Sequence, residues 1–291
     1  MKRYFILLFG CLFAVRYAIA AERWAIVVGI GSYPESSGWR PINGDKDLDL
    51  VVPMLKKNGF PDGHITTLAN ERATKGNIEK AIHALLANLQ TGDIVYFHFS
   101  GHGQLVTDVN GDEGDYGYDE SLVPYDAALK YDFNGYQGQN HIVDDELNQW
   151  LTAVKKRIGN KGRLLVVLDA CHSGGGSRDE NDEEEFVRGC RDCFNIPLLN
   201  SQNIKSAPNS ISWVCVSTCK SHQSNYEYKI GEETRCGRLS FALSKILVPN
   251  ITVRQLREQL ERQYENMPLP PLPQEPEIEY EPAMSDTMPV F

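Results

Sequence analysis

Beyond its first fifteen residues the sequence has no apolar run long enough to cross a bilayer. It has no internal repeat, and no linker-like stretch divides it into separate domains. Positive charge is scarce: 29 Lys and Arg stand against 39 Asp and Glu, for a formal net charge of -10. That deficit argues against a nucleic-acid binder, which presents a Lys/Arg-rich face. It suits basic substrates and metal cations, or serves solubility alone. Nor does any Cys/His spacing complete a zinc pattern, although Arg188-Gly189-Cys190-Arg191-Asp192-Cys193 and Cys215-x-x-x-Cys219 each carry half of one.

What is present begins with an export signal. Lys2 and Arg3 open it, Phe5 to Val15 is apolar, and Ala18-Ile19-Ala20 fits the small-x-small cleavage rule. Residues 1–20 are therefore expected to be a signal peptide, and the chain to be exported to periplasm, cell surface or medium. Gly10-Cys11 offers a lipoprotein route as the alternative. With Cys11 set aside, Cys171, Cys190, Cys193, Cys215, Cys219 and Cys236 remain. An even number in an exported chain invites disulfides, but a reactive thiol would have to stay free and leave one cysteine odd.

Apolar runs and helical periodicities alternate along the rest. Strands are expected at Trp24–Ile30, His64–Leu68, Gly92–Phe99, Arg163–Leu168 and Ser212–Ser217, the fourth an almost unbroken Leu/Val run typical of a central parallel strand. Helices are expected at Asp47–Asn58, Thr74–Leu89, Asp144–Ile158, Gly237–Leu247 and Thr252–Tyr264. This alternation predicts an α/β domain with a mainly parallel sheet. The domain is expected to span 21–285, with 286–291 a C-terminal tail and 174–209 a long loop and candidate processing region. Met267–Pro276 is too proline-rich for helix and reads as an exposed tail or an extended segment along the sheet edge.

Two strand ends carry the chemistry. Val95-Tyr96-Phe97-His98-Phe99 breaks into Ser100-Gly101-His102-Gly103, and Leu164-Leu165-Val166-Val167-Leu168 breaks into Asp169-Ala170-Cys171-His172-Ser173-Gly174. In open parallel sheets, sites form beyond the carboxyl ends of adjacent strands. A thiol on one tip and an imidazole on the next make a nucleophile and its base. The N–H groups of Cys171 and Gly103 are the candidate oxyanion donors.

These motifs resemble the caspase-like cysteine peptidases, within them the metacaspase branch in its bacterial form. Phe99-Ser100-Gly101-His102-Gly103-Gln104 is similar to the family's histidine motif, and Asp169-Ala170-Cys171-His172-Ser173-Gly174 to its cysteine motif. Gly111-Asp112-Glu113, Tyr118-Asp119-Glu120 and Pro124-Tyr125-Asp126 resemble the acidic stretch between them. Ser217-Thr218-Cys219-Lys220 with Gln223 and Glu227, and Gln274-Glu275-Pro276 with Ile278, resemble later family segments. The Gln-Ala-Cys-x-Gly of caspases proper is missing.

The resemblance implies a caspase-like three-layer sandwich and a cysteine endopeptidase in which Cys171 attacks and His102 shuttles the proton, with no third residue. It implies cleavage after Arg or Lys, in a pocket carrying Asp169 and Asp47, with Ser100 adding an oxygen. A helix N-cap is the alternative for Asp47. Calcium, as an activator and not a participant in the chemistry, would use Asp119, Asp144 and Asp145, with Asp179 a loose fourth. The extra stretch Lys130–Asn140 departs from the family, and Asp144 and Asp145 have helix capping as their alternative. His172 reads as structural. The expected partners are peptide or protein substrates, and the expected state is a monomer. The loop's Arg178, Arg188 and Arg191 make self-cleavage a further expectation, with a Cys190–Cys193 clip as a competing role. The functional alternatives are a catalytically silent fold that binds peptides and a binding protein with Cys171 bridged.

Overall fold

The computed structural model describes residues 21–113, 117–171, 186–190, 192–197, 212–221, 223–231, 234–271, 273–281 and 284–291. The elements in chain order are β1 (Arg23–Gly29), α1 (Leu48–Lys57), β2 (Ile65–Ala69), α2 (Lys75–Asn88), β3 (Ile94–Ser100), β4 (Gly103–Thr107), β5 (Tyr118–Leu122), β6 (Ile142–Val143), α3 (Asp144–Ile158), β7 (Arg163–Asp169), β8 (Val214–Ser217), β9 (Glu227–Ile230), β10 (Thr234–Gly237), α4 (Arg238–Ile246), α5 (Val253–Asn266) and β11 (Glu277–Tyr280).

A six-stranded sheet runs in the order β11-β8-β7-β3-β1-β2, parallel except where β11 pairs antiparallel with β8. Its central strands are buried on both faces, and successive side chains alternate between two cores. Ala25, Val27, Tyr96, Leu165 and Val167 meet the apolar faces of α1, α4 and α5 through Val51, Leu55, Leu239, Leu243, Leu256 and Leu260. Ile26, Val28, Val95, Phe97, Leu164 and Val166 meet α2 and α3 through Ile78, Ile82, Leu85, Leu147, Leu151 and Val154. This is the expected three-layer α/β sandwich. Thr74 caps α2 by accepting the Asn77 N–H at 3.2 Å, and Thr252 with Gln255 forms a reciprocal capping box on α5.

Three expectations need correction. Residues 286–291 are no tail. Val290 and Phe291 are buried in the α1/α4/α5 core, Asn250 donates to the Phe291 carbonyl at 3.1 Å, and Asp286 holds Arg254 through two 3.0 Å bonds. Burial of these apolar side chains, with their main chain bonded to residues 250–251, makes the segment part of the domain. Within 174–209, the described residues are also not a free loop: Phe194 is buried and exchanges main-chain bonds with Leu105 and Thr107 of β4. Finally, Cys171, Cys190 and Cys193 are in no disulfide, so neither the clip nor the bridged nucleophile is formed. The signal peptide, His172, Arg178, Asp179 and Arg191 lie outside the described residues.

Candidate active site

The register of β3 on β7 brings the two motifs together. Ser100 pairs with Asp169 across the sheet, so His102 and Cys171, each two residues further on, leave from neighbouring strand tips. The imidazole is fully buried, stacked on Trp39 with centroids 4.8 Å apart and tilted against Tyr33 at 5.3 Å. Its Nε2 lies 3.0 Å from the Arg40 carbonyl oxygen. A carbonyl only accepts, so Nε2 carries the proton and Nδ1 keeps a lone pair. Among the described residues Nδ1 has no hydrogen-bond partner. Burial lowers the ring's pKa to about 3, against a smaller opposing effect of the Arg40 bond, so the imidazole is neutral and available as a base.

Cys171 is buried, and its thiol donates to the Gln223 carbonyl at 3.0 Å, not to His102. Cys219 points at the same carbonyl from 3.4 Å, and its own thiol is pushed well up by its contact with Cys171 and by burial. The Cys171 N–H, one of the expected oxyanion donors, is engaged by the Arg188 carbonyl at 2.8 Å. Gly103 lies in β4 opposite Leu122 and does not bond that carbonyl. The next residue has to be small: a Cβ on Gly189 would stand 2.7 Å from the Cys171 carbonyl oxygen.

The acids expected to share a pocket lie together, with an arginine of the chain itself among them. Asp47, Ser100 and Asp169 are all fully buried together with Arg188. The Arg188 guanidinium lies 2.6 Å from Asp47 Oδ2, 3.4 Å from Asp169 Oδ1 and 3.1 Å from Glu227 Oε1. Burial works against the charge, but the three carboxylates outweigh it and hold Arg188 firmly protonated. Likewise burial would raise the Asp169 carboxyl, yet Arg188 and hydrogen bonds from Ser240 and Asn225 keep it below its ordinary value. Asp47 does not cap α1; it accepts from Ser100 Oγ (2.7 Å), the Gly237 N–H (2.7 Å) and Ser240 Oγ (3.0 Å). Ser100 therefore orients Asp47.

Several residues of this site are not apparent in the sequence as pocket members. Glu227 stands out there only as part of a family-like segment, and Ser240 and Asn225 only become neighbours of Asp169 through folding, at 2.6 and 2.9 Å. The Arg40 carbonyl has no sequence signal at all. Arg188 stands out only as one of three arginines in the loop.

The acidic stretch also differs from expectation. Carboxylate oxygens of Asp108, Asp112 and Asp119 lie within 4.8 Å of one another, whereas Asp145 is taken up by the Asn110 amide at 2.5 Å. Asp144 and Asp145 open α3 without capping it through their side chains. The tight group is thus Asp108, Asp112 and Asp119, because the turn after β4 folds back onto the start of β5, with Asp144 and Asp145 as charged neighbours. Burial first, and then these neighbours, raise Asp119 to about 7 and Asp144 to about 6. Asp112 Oδ1 and Asp144 Oδ1 are buried without a hydrogen-bond partner among the described residues. Hard, unpaired oxygens of this kind suit a divalent cation such as calcium.

Comparison with known proteins agrees with this arrangement. The chain is 38% identical to metacaspase-2 of Arabidopsis thaliana over 162 residues, 54% of this chain and 35% of that protein. It is 38% identical to metacaspase-1 of Pyricularia oryzae over 168 residues, 56% of this chain and 39% of that one. The match thus spans little more than a third of these curated relatives. In fold it is similar to a crystal structure from Geobacter sulfurreducens, with TM-score 0.62 and 20% identity, covering 92% of this chain and 97% of the other. It is also similar to caspase-1 of Spodoptera frugiperda, with TM-score 0.57 and 14% identity, covering 90% and 87%. Residues 25–177 match the family model of the metacaspase, peptidase C14 domain, and the chain belongs to that family.

Proposed function

We propose that this chain is an exported cysteine endopeptidase that cleaves after Arg, and less well after Lys. The observation that carries the reading is Arg188: its side chain is held by Asp47, Asp169 and Glu227 while its carbonyl accepts from the Cys171 N–H. A residue on the acyl side of a bond about to be cut needs both contacts at once. A planar guanidinium among carboxylates gains several charge-assisted bonds, which the point charge of Lys cannot match.

In this mechanism His102 Nδ1 accepts the Cys171 thiol proton, and Sγ attacks the substrate carbonyl carbon. The oxyanion takes the Cys171 N–H. His102 then gives its proton to the leaving amine, and a water activated by the same nitrogen hydrolyses the thioester. The thiol has to turn from the Gln223 carbonyl towards His102 for the first step. The Arg188–Gly189 bond is the chain's own candidate substrate: Gly189 would leave as the amine and Arg188 would end as the new carboxylate. Calcium, where it activates, is proposed to be held by Asp108, Asp112 and Asp119 with Asp144 beside them, and to supply charge neutralisation there. Export is proposed on the N-terminal signal alone.

The test is hydrolysis of paired reporter peptides, one with Arg and one with Asp before the reporter, by wild type and Cys171→Ala, with and without calcium. Cleavage of the Arg peptide alone, lost in the variant, is expected. Intact mass should reveal a cut between Arg188 and Gly189 in wild type only. Cleavage after Asp, or activity that survives in Cys171→Ala, would overturn the reading.

A further inference from the structure

Arg188 does not enter the cleft alone. Val187 forms an antiparallel bridge with Tyr226, and the Arg188 N–H donates to the Asn225 carbonyl at 2.9 Å. Val187 and Arg188 thus pair with 225–226 through main-chain contacts, in the manner of a peptide added to a sheet edge. Phe186, two before Arg188, meets a cavity of about 360 Å³ whose lining includes Tyr226, Tyr228, Arg235, Leu269 and Pro270. The Arg235 guanidinium sits 3.3 Å from the Phe186 ring centroid. Leu269, on the rim, is 89% exposed.

We propose that this cavity is a recognition subsite for the third residue upstream of the cut, and that it selects an aromatic ring there. The proposal rests on the reading of Arg188 as the residue that precedes the cut, and Phe186-Val187-Arg188 is then the built-in instance of the preferred sequence. The chemistry is specific in two ways. A flat ring is offered a guanidinium face on one side and tyrosine and proline walls on the others, which reward π surface. The same wall carries Lys229, Arg235 and Arg238 against one acid, Glu227, which is already paired with Arg188, so a second cation on the substrate is repelled where the first pocket demands one. Because free volume remains beside Phe186, Tyr and Trp fit as well. The substrate class is an extended peptide of the form aromatic–X–Arg, not a polybasic run.

The test is peptide binding by fluorescence anisotropy to the full chain carrying the double substitution Phe186→Ala and Arg188→Gln, which removes the built-in occupant, on a Cys171→Ala background, with and without Arg235→Ala. The labelled probes are Phe-Val-Arg-Gly, Ala-Val-Arg-Gly, Arg-Val-Arg-Gly and Phe-Val-Asp-Gly. The Phe-Val-Arg probe should bind about tenfold tighter than Ala-Val-Arg, a gap that Arg235→Ala closes to about threefold or less, and Arg-Val-Arg should be no better than Ala-Val-Arg. Equal binding of the first two probes, with Phe-Val-Asp still rejected, overturns the subsite and leaves the Arg188 reading intact. Failure to distinguish Arg from Asp overturns both. Should the double variant not fold, self-cleavage after Arg188 provides the second measurement: it should be about tenfold slower in Phe186→Ala than in wild type and recover in Phe186→Trp, and equal rates overturn the subsite.

Discussion

Asp169 and Asp119, each set among other carboxylates, are shifted in opposite directions. Around Asp169, Asp47 and Glu227 the acids are fully or almost fully buried, and Asp169 is held below its ordinary pKa because Arg188 lies among them. Among the described residues Asp108, Asp112 and Asp119 are in no ion pair, although Asp108 accepts the Asn110, Gly111 and Glu113 N–H groups, and Asp119 is raised to about 7. The main difference is a cation: Arg188, helped by hydrogen bonds from Ser240 and Asn225, offsets burial at Asp169, and burial at Asp119 is not offset in this way. A carboxylate cluster that already holds its counter-charge is closed to other cations until that charge leaves, whereas one that repels itself favours whichever cation or proton arrives first.

The largest way to break the comparison is to remove the internal cation. Arg188→Ala should cost about 3–5 kcal/mol at pH 7, because it strands buried carboxylates. Its thermal midpoint should recover towards wild type as the pH is lowered and the pocket acids protonate. A variant as stable as wild type at pH 7 would mean that the acids are not dependent on Arg188. A smaller cut is Ser240→Ala, which removes the one hydroxyl that lies 2.6 Å from Asp169 and 3.0 Å from Asp47 and can donate to one of them at a time. It should cost about 1–2 kcal/mol in urea unfolding and lift the Asp169 carboxyl.

The smallest effect sharpens the other side. Asp119 and Asp144 have folded-state values of about 7 and about 6 against an ordinary 3.8. Raised values mean that protonation favours the fold, so this contribution is fully present below the unfolded value and is lost as the pH rises through about 7. Calcium-free protein should therefore lose stability between pH 4 and 8, and Asp119→Asn should gain about 1 kcal/mol at pH 8 while losing any calcium-induced rise in thermal midpoint. An unaltered calcium response in Asp119→Asn would remove Asp119 from the cation site.

The legible parts of the molecule are those with long local signals. The five parallel strands carry runs such as Leu164–Leu168, and α2, α3 and α5 carry an apolar stripe with acceptors or acids at the start. The strands β4, β5, β9 and β10 are short and polar, and they are stabilised by long-range pairing that no window of sequence contains. At the site, His102 and Cys171 are visible because each interrupts an apolar strand with small residues. Arg188 is not, since a basic residue beyond an acidic run, Asp179 to Glu185, reads as solvated surface. Its complete burial depends on partners 141 residues away at Asp47 and 39 away at Glu227. Phe291 was misread for the same reason: a terminal residue has no periodicity around it to betray a core position.

The bond between His102 Nε2 and the Arg40 carbonyl has a consequence for how this site can drift over generations. Every amino acid brings the same carbonyl, so no point substitution at position 40 can delete the acceptor that fixes the imidazole tautomer. The side chain there is exposed and can vary with its surroundings. Inheritance instead bears on Trp39, whose ring holds the imidazole in plane, so tolerance and intolerance to change should stand side by side in consecutive codons.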